Sequence, residues 1–175
     1  MRRFCLLVLV LLIPASARAH FHKADAYAAV SVASGSTLVG LHATLGVPVP
    51  AGPETGQPVK ADIRIRNLSV VGDVSVHWGS DDVTQVNFLG GLRHTFSSST
   101  DQRSLPFVHV LLGGVRTSRA GASDTDPAVA FGAGFEHMLG DVDSGWGFRA
   151  QLDYIVRPGD VAPRFSAGVV KRFPR

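Results

Sequence analysis

Apolar and polar side chains alternate along residues 145–156, GWGFRAQLDYIV. Every second position is apolar or aromatic, and the positions between them include Arg149, Gln151 and Asp153. A period of two is typical of a β-strand with one apolar and one polar face. In a soluble sheet the apolar face packs in a core, whereas in a membrane barrel it contacts lipid and the polar face fills the interior.

The same alternation marks seven further segments, which are 25–33, 37–47, 68–78, 83–96, 106–116, 128–138 and 163–173. Each is about 9 to 14 residues long, close to the ~9–11 that a tilted strand needs to cross a bilayer and longer than the ~5–6 common in soluble sheets. An even number of strands places both chain ends in the periplasm. The pattern therefore predicts an all-β protein, an eight-stranded antiparallel up-and-down transmembrane β-barrel.

Turn-forming residues separate the segments. Tight turns are predicted at 34–36, 79–82 and 157–160, a periplasmic turn at 140–145, and exposed loops at 97–104 and 119–126. Residues 48–67 are ambiguous, because early prolines and glycines precede the alternating run ADIRIR. They form a long turn, an extension of the third strand or an extra strand.

The first 19 residues have the features of a cleaved secretory signal peptide. Arg2 and Arg3 precede an apolar run too short to span a bilayer, and a small-x-small cleavage site ends at Ala19. The predicted mature domain is 20–175. It contains 17 − 3 = 14 Lys and Arg against 14 Asp and Glu, so it has no basic surface for nucleic acid. Cys5 leaves with the signal, which excludes disulfides and cysteine chemistry.

The polar faces of the strands predict a set of charged side chains inside the barrel. Their principal members are Asp73, His77, Arg93, His109, Arg116, Glu136, Arg149, Asp153 and Arg164. Eight strands enclose an interior only wide enough for side chains, and buried charges must pair. We therefore expect an interlocked structural plug of ion pairs rather than a gated pore or a small binding cavity.

Other candidate chemistry in the sequence is weaker. Asp73, Ser75 and His77 share one strand face, but residues two apart on a strand are about 6.6 Å apart, too far for a nucleophile–base hydrogen bond. His20 and His22 form at most a weak metal site on a terminal segment. No catalytic residue, cofactor or metal site is predicted.

The second half of the chain resembles small bacterial outer-membrane β-barrel proteins, the porin-like barrels of the outer-membrane protein A type. The resemblance is carried by VVGDVSVHWG, LPFVHVLLGGVR, AVAFGAGFEHML, FRAQLDYIV and FSAGVVKRF. It implies a protein of the bacterial outer membrane that contacts lipid and lipopolysaccharide and is inserted by the barrel-assembly machinery through a last strand ending at Phe173. Pro174 and Arg175 follow Phe173, whereas the family usually ends on the aromatic residue.

These observations favour an integral outer-membrane barrel with a structural, adhesion or minor pore role and no enzymatic activity. The alternative is a soluble exported barrel that carries a small apolar ligand, as lipocalins do; it would need an apolar interior and a polar exterior. Aromatic residues at strand ends, among them Trp78, Trp146 and Phe173, favour the membrane. The loops are short, and nothing in the sequence fixes the oligomeric state.

Overall fold

The computed structural model describes residues 24–33, 38–49, 68–80, 82–96, 103–139 and 145–173. The predicted signal peptide, His20 and His22, the turn at 34–36, and most of 48–67, 97–104 and 140–145 lie outside these ranges. No helix in the described ranges is long and apolar enough to cross a membrane.

Eight antiparallel strands form a closed barrel in which each strand pairs with its neighbours in the chain and the first pairs with the last. They are β1 (Asp25–Ala33), β2 (Leu38–Pro48), β3 (Leu68–Trp78), β4 (Thr84–Thr95), β5 (Ser104–Arg119), β6 (Ala122–Met138), β7 (Trp146–Arg157) and β8 (Asp160–Arg172). The predicted fold class, an up-and-down barrel of eight strands, is confirmed.

Most apolar side chains of the strands point outward and the buried charged ones point inward, where they share the interior with an apolar cluster that includes Leu111, Val115 and Ile155. Phe148 on β7 is 55% exposed, whereas the next residue, Arg149, is 2% exposed. The same alternation runs along every strand, so the outer wall carries valine, leucine and phenylalanine. An apolar surface of this extent is unfavourable in water and suits lipid. The soluble, lipocalin-like alternative is wrong on this point, because it requires the opposite arrangement.

The β5–β6 hairpin is longer than the sequence pattern predicts. The loop predicted at 119–126 is wrong, because β5 continues to Arg119 and β6 begins at Ala122 in an unbroken ladder. Ala120 and Gly121 form the turn with φ of 48° and 85°, and two positive φ values are typical of the type I′ turn that matches strand twist. The hairpin end is polar, so its sequence resembles a loop even though its backbone is fully paired.

The two ends of the barrel differ in how their strands are joined. We name the end where β1 begins and β8 ends the terminal rim, and the opposite end the far rim. At the far rim the connections are short, and two of them are the two-residue turns 120–121 and 158–159. At the terminal rim the strands are joined by 49–67, 96–103 and 139–145. Outer-membrane barrels usually have their short turns on the periplasmic side, where their termini lie; here the short turns lie opposite the termini.

Candidate functional site: the lumen network

Polar and charged side chains from all eight strands occupy much of the barrel interior, beside two clusters of buried apolar side chains. Eight of the nine predicted interior residues are buried there, and they are Asp73, His77, Arg93, His109, Glu136, Arg149, Asp153 and Arg164. They belong to β3 through β8. β1 and β2 add Asp25, Ser31, His42 and Thr44 to the same interior. The network divides into two groups, each built around one arginine.

Arg116 is the exception, and its assignment to the interior is corrected. His109, Leu111 and Val115 show that odd-numbered residues of β5 point inward, so Arg116 points outward and is exposed. Its Nη2 donates a hydrogen bond to Ser123 Oγ at 3.2 Å across the β5–β6 hairpin. The two glycines at 113–114 hide the alternation in the sequence, so the pattern predicts the wrong face for Arg116.

The first group, the Arg164 cluster, consists of Arg164, Asp73, Asp153, His42 and His109. Arg164 Nη1 and Nη2 donate to the two oxygens of Asp73 at 2.9 and 3.1 Å, and its Nε donates to Asp153 Oδ2 at 2.9 Å. All three side chains are fully buried. Because β3 and β8 are not neighbours in the barrel, the Arg164–Asp73 pair crosses the lumen.

Each carboxylate of the Arg164 cluster also contacts a histidine. His42 Nε2 lies 2.6 Å from Asp73 Oδ2, and His109 Nε2 lies 2.8 Å from Asp153 Oδ1. Gly132 occupies an inward-facing position and makes room for the His109–Asp153 pair. A Cβ at this position would collide with the Asp153 carboxylate and the His109 ring. The carboxylates therefore have both an arginine and a histidine partner, as buried charges require.

The second group, the Arg149 cluster, consists of Arg149, Arg93, Arg172, Asp25 and Glu136. Arg149 Nη2 donates to Asp25 Oδ1 at 2.9 Å and to Glu136 Oε1 at 2.5 Å. Arg93 also pairs with Asp25, and Arg172 Nη2 donates to Glu136 Oε2 at 2.8 Å. Asp25 and Arg172 are the first residue of β1 and the last of β8, so this cluster lies toward the terminal rim.

Two aromatic rings stack on the arginines of this cluster. The Arg149 Cζ atom lies 4.7 Å from the Tyr27 ring centre and 5.4 Å from that of Phe107. The Arg93 Cζ atom lies 5.6 Å from the Phe107 ring centre. Ring faces attract guanidinium groups, so the stacking supplements the ion pairs and fills the space between them.

Ser75 and His77, which a hydrolase would need as nucleophile and base, form hydrogen bonds with other residues. His77 Nε2 lies 2.8 Å from Ser31 Oγ, while Ser75 Oγ accepts hydrogen bonds from Asn87 and Arg164. A hydroxyl–imidazole–carboxylate series does occur, because His42 joins Ser166 at 3.0 Å to Asp73. All three of its members are buried at 2% exposure or less, and a nucleophile must reach a substrate. In the described ranges no group of three or more His, Cys, Asp or Glu could hold a metal ion.

Asp25, His42, Thr44 and Ser166 also line the interior, although they are not among the nine interior residues predicted from the sequence. The alternation alone could have found them, because each has the inward parity of its strand. Tyr27 on β1 and Arg172 on β8 have the same inward parity. What the pattern could not supply is the pairing, because the partners are up to 124 residues apart in the chain.

The network as a whole balances four arginines, at positions 93, 149, 164 and 172, against the carboxylates of Asp25, Asp73, Glu136 and Asp153. Its contacts join β1, β2, β3, β4, β6, β7 and β8 across the interior, with β5 joined through His109 and Phe107. Such an arrangement fixes strands relative to one another. It provides no open path lined by unpaired charges among the described residues.

No family model matches the sequence, and no curated protein matches it either. Among solved structures the barrel is similar to Neisserial surface protein A, with 14% identity, a TM-score of 0.55, and coverage of 86% of this chain and 96% of that one. It is similar to Ail, the attachment invasion locus protein of Yersinia pestis, with 13% identity, a TM-score of 0.52, and coverage of 88% and 100%. The outer membrane enzyme PagL matches at 16% identity and a TM-score of 0.47, covering 86% and 99%.

Proposed function

We propose that the chain is an integral, non-enzymatic barrel of the outer membrane whose lumen is closed, and that its role is structural. Its transmembrane eight-stranded fold, shared with bacterial outer-membrane barrels, supports this location. The observation that carries this proposal is Arg164, which is 0% exposed and bonded to carboxylates on two other strands. A fold of this kind hosts many tasks, so the role has to be argued from the side chains.

A closed lumen follows from how tightly the interior charges are held. An ion that crossed the barrel would have to separate Arg164 from Asp73 or displace Arg149 from Glu136, and each of these side chains is at least 98% buried. Breaking a buried ion pair costs about 3–5 kcal/mol. Of the structural, adhesion and minor pore roles predicted from the sequence, the minor pore role is therefore the least favoured.

An adhesion role would need a surface outside the membrane on which a partner could dock. If the termini are periplasmic, the far rim faces outward, and its connections are short. The end of the β5–β6 hairpin is the largest described feature there. This favours a structural role over adhesion, although Ail, one of the similar structures, is named for attachment and invasion.

The partners that we propose follow from the outer wall. Its exposed valine, leucine and phenylalanine side chains suit lipid chains, and Trp78 on the far-rim side and Trp146 on the terminal-rim side suit the interfaces with lipid headgroups or lipopolysaccharide. Phe173 follows β8 directly, is exposed, and donates its backbone N–H to Ala24 at 2.9 Å. We propose that the barrel-assembly machinery recognises the last strand through this residue.

Planar bilayer recording of the purified, folded chain tests the proposal. We expect no steady conductance above that of the bare bilayer. In separate experiments, we expect the chain to be recovered in the outer-membrane fraction of cells and to show heat-modifiable migration on a gel. A variant that removes the crossing, Arg164→Ser with Asp153→Ser, should conduct if it folds, whereas Arg157→Ser at the far rim should stay silent. Steady, ion-selective steps from the unmodified chain would refute the closed lumen.

A further inference from the structure

The β5–β6 hairpin extends past the neighbouring strand β7 at the far rim. β6 pairs with β5 from Ala122 to His137, but its pairing with β7 begins only at Val129. From Ala122 to Ala128, the side of β6 that faces away from β5 is therefore paired with no strand in the described part of the chain. We name this side the free edge. An exposed strand edge is a template on which another chain can add a strand.

The backbone groups on the free edge belong to Ser123, Thr125 and Pro127. In an antiparallel pair, successive residues direct their N–H and C=O groups alternately toward the partner strand and away from it. The Thr125 N–H donates to Asp124 Oδ1 at 2.8 Å rather than to β5. Thr125 therefore has its backbone polar groups on the free edge, and so do Ser123 and Pro127, which lie two residues to either side of it.

Two of these three residues have no N–H to offer an added strand. Proline lacks a backbone N–H, so Pro127 cannot donate a hydrogen bond to a ladder, and within sheets proline is confined to such edges. The Thr125 N–H is already bound by the Asp124 carboxylate. Of the three, this leaves the Ser123 N–H as the donor for a new strand. The free edge is therefore poor in donors, although its carbonyl groups remain.

The carboxylates beside the free edge act against pairing with a second copy of the chain. Asp124 and Asp126 have the same parity on β6, so they lie on one face of the hairpin. If two copies joined their free edges antiparallel about Thr125, Asp124 of one copy would lie directly opposite Asp126 of the other. Like charges directly opposite each other destabilise a strand pair. A second copy also lacks the same two donors, so hydrogen bonds are lost from both sides.

We propose that the free edge of β6 is a self-pairing surface that Asp124 and Pro127 keep closed, so that two barrels whose hairpins meet remain separate. Proline and charged side chains are two of the means by which natural proteins block exposed strand edges. Here they occupy the segment of β6 that has lost its neighbour, and the sheet is protected elsewhere by closure of the barrel. This surface is independent of the closed lumen, because association and conductance are measured separately.

The test uses the predicted mature chain folded in detergent micelles, where copies meet in any orientation. Light scattering, with the detergent contribution subtracted, gives the mass of the protein component, and we expect the mass of one chain. Asp124→Thr with Pro127→Thr restores both donors and removes a charge, so the mass of this double variant should double as its concentration rises. The matched control, Ala122→Thr with Ser123→Thr, adds two threonines to the same segment and should keep the mass of one chain.

A disulfide shows whether the copies meet at the free edge. The predicted mature chain has no cysteine, so Thr125→Cys introduces one at the centre of the expected pairing. Combined with the double variant, it should form a disulfide-linked dimer under mild oxidation. In the otherwise unmodified chain it should form at least tenfold less of that dimer in the same time.

A double variant that shows heat-modifiable migration, and is therefore folded, but keeps the mass of one chain would overturn the proposal. Equal disulfide formation with and without the two threonines would also overturn it, as would a control that associates as strongly as the double variant. If the double variant does not fold, Asp124→Thr and Pro127→Thr are measured singly. Because both side chains lie on the exposed hairpin, the single variants should fold, and no rise in mass in either of them would refute the closed edge.

Discussion

Replacing Arg164 by leucine removes the side chain on which the first lumen cluster depends. Arg164 donates hydrogen bonds to Asp73, Asp153 and Ser75 at distances from 2.9 to 3.1 Å. Leucine cannot make any of these bonds. Both carboxylates would stay inside the barrel, at 1% exposure or less, without their shared cation.

The size of the effect follows from what remains around the carboxylates. Removing one partner of a buried ion pair costs about 3–5 kcal/mol. Here each carboxylate keeps its contact with one histidine, His42 or His109, and this remaining hydrogen bond offsets part of the loss. We therefore expect Arg164→Leu to lower the free energy of unfolding by about 3 kcal/mol. The pair of Arg157 and Asp160 is partly exposed, so Arg157→Leu should cost about 0–1 kcal/mol.

Urea unfolding in lipid vesicles measures both variants, with the fluorescence of Trp78 and Trp146 as the signal because both side chains face lipid or its interface. Adding Asp73→Asn to Arg164→Leu removes one stranded charge. The double variant should therefore lose less than the sum of the two single losses, with a coupling of about 0.5–3 kcal/mol. Equal losses for Arg164→Leu and Arg157→Leu, or strict additivity in the double variant, would refute the cross-lumen pairing.

Three further substitutions probe other features of the barrel. Leu152→Arg puts a charge on the lipid face near the middle of β7 and should cost about 2–4 kcal/mol in vesicle unfolding, while Ala122→Glu, which puts a charge on the exposed hairpin end opposite Arg119, should cost nothing measurable; equal effects would contradict the lipid assignment. Gly132→Val should prevent folding or lower the urea midpoint strongly, because its side chain would displace Asp153; a wild-type midpoint would contradict the packing. Gly159→Ala, at φ 77° with open space around it, should cost only about 1–2 kcal/mol, seen as a small drop in the same midpoint.

The face of nearly every described side chain could be predicted from the sequence. In a membrane barrel each strand contacts lipid on one side and packed polar groups on the other, so the contrast between Phe148 and Arg149 is as strong as the chemistry allows. In the parts of the strands beyond the membrane the outward side chains meet water instead of lipid, so outward and inward residues no longer differ in polarity. That is why the pattern predicts the end of β5 too early and the start of β6 too late, and why it assigns Arg116, beyond the glycines at 113–114, to the wrong face.

The pairing inside the barrel could not be predicted in the same way. Which residue meets Arg164 depends on the tilt and stagger of the strands, which decide how residues on opposite walls line up. Asp73 is 91 residues away from Arg164, and no local spacing relates the two. The sequence could predict that the interior charges pair, because isolated charges there are too costly, but the partners emerge only from the closed sheet.

The seam between β1 and β8 brings the two ends of the described sheet together, and Phe173 donates a backbone hydrogen bond to Ala24 across it. Because β1 and β8 pair with each other, the closed sheet has no free edge at which it begins or ends. A circular permutant, with a short linker joining 173 to 24 and new ends opened at the 158–159 turn, should refold to the same closed cylinder when it is tested by heat-modifiable migration. Strand order around the ring, rather than the place where the polypeptide happens to begin, would then be the property that selection has to preserve.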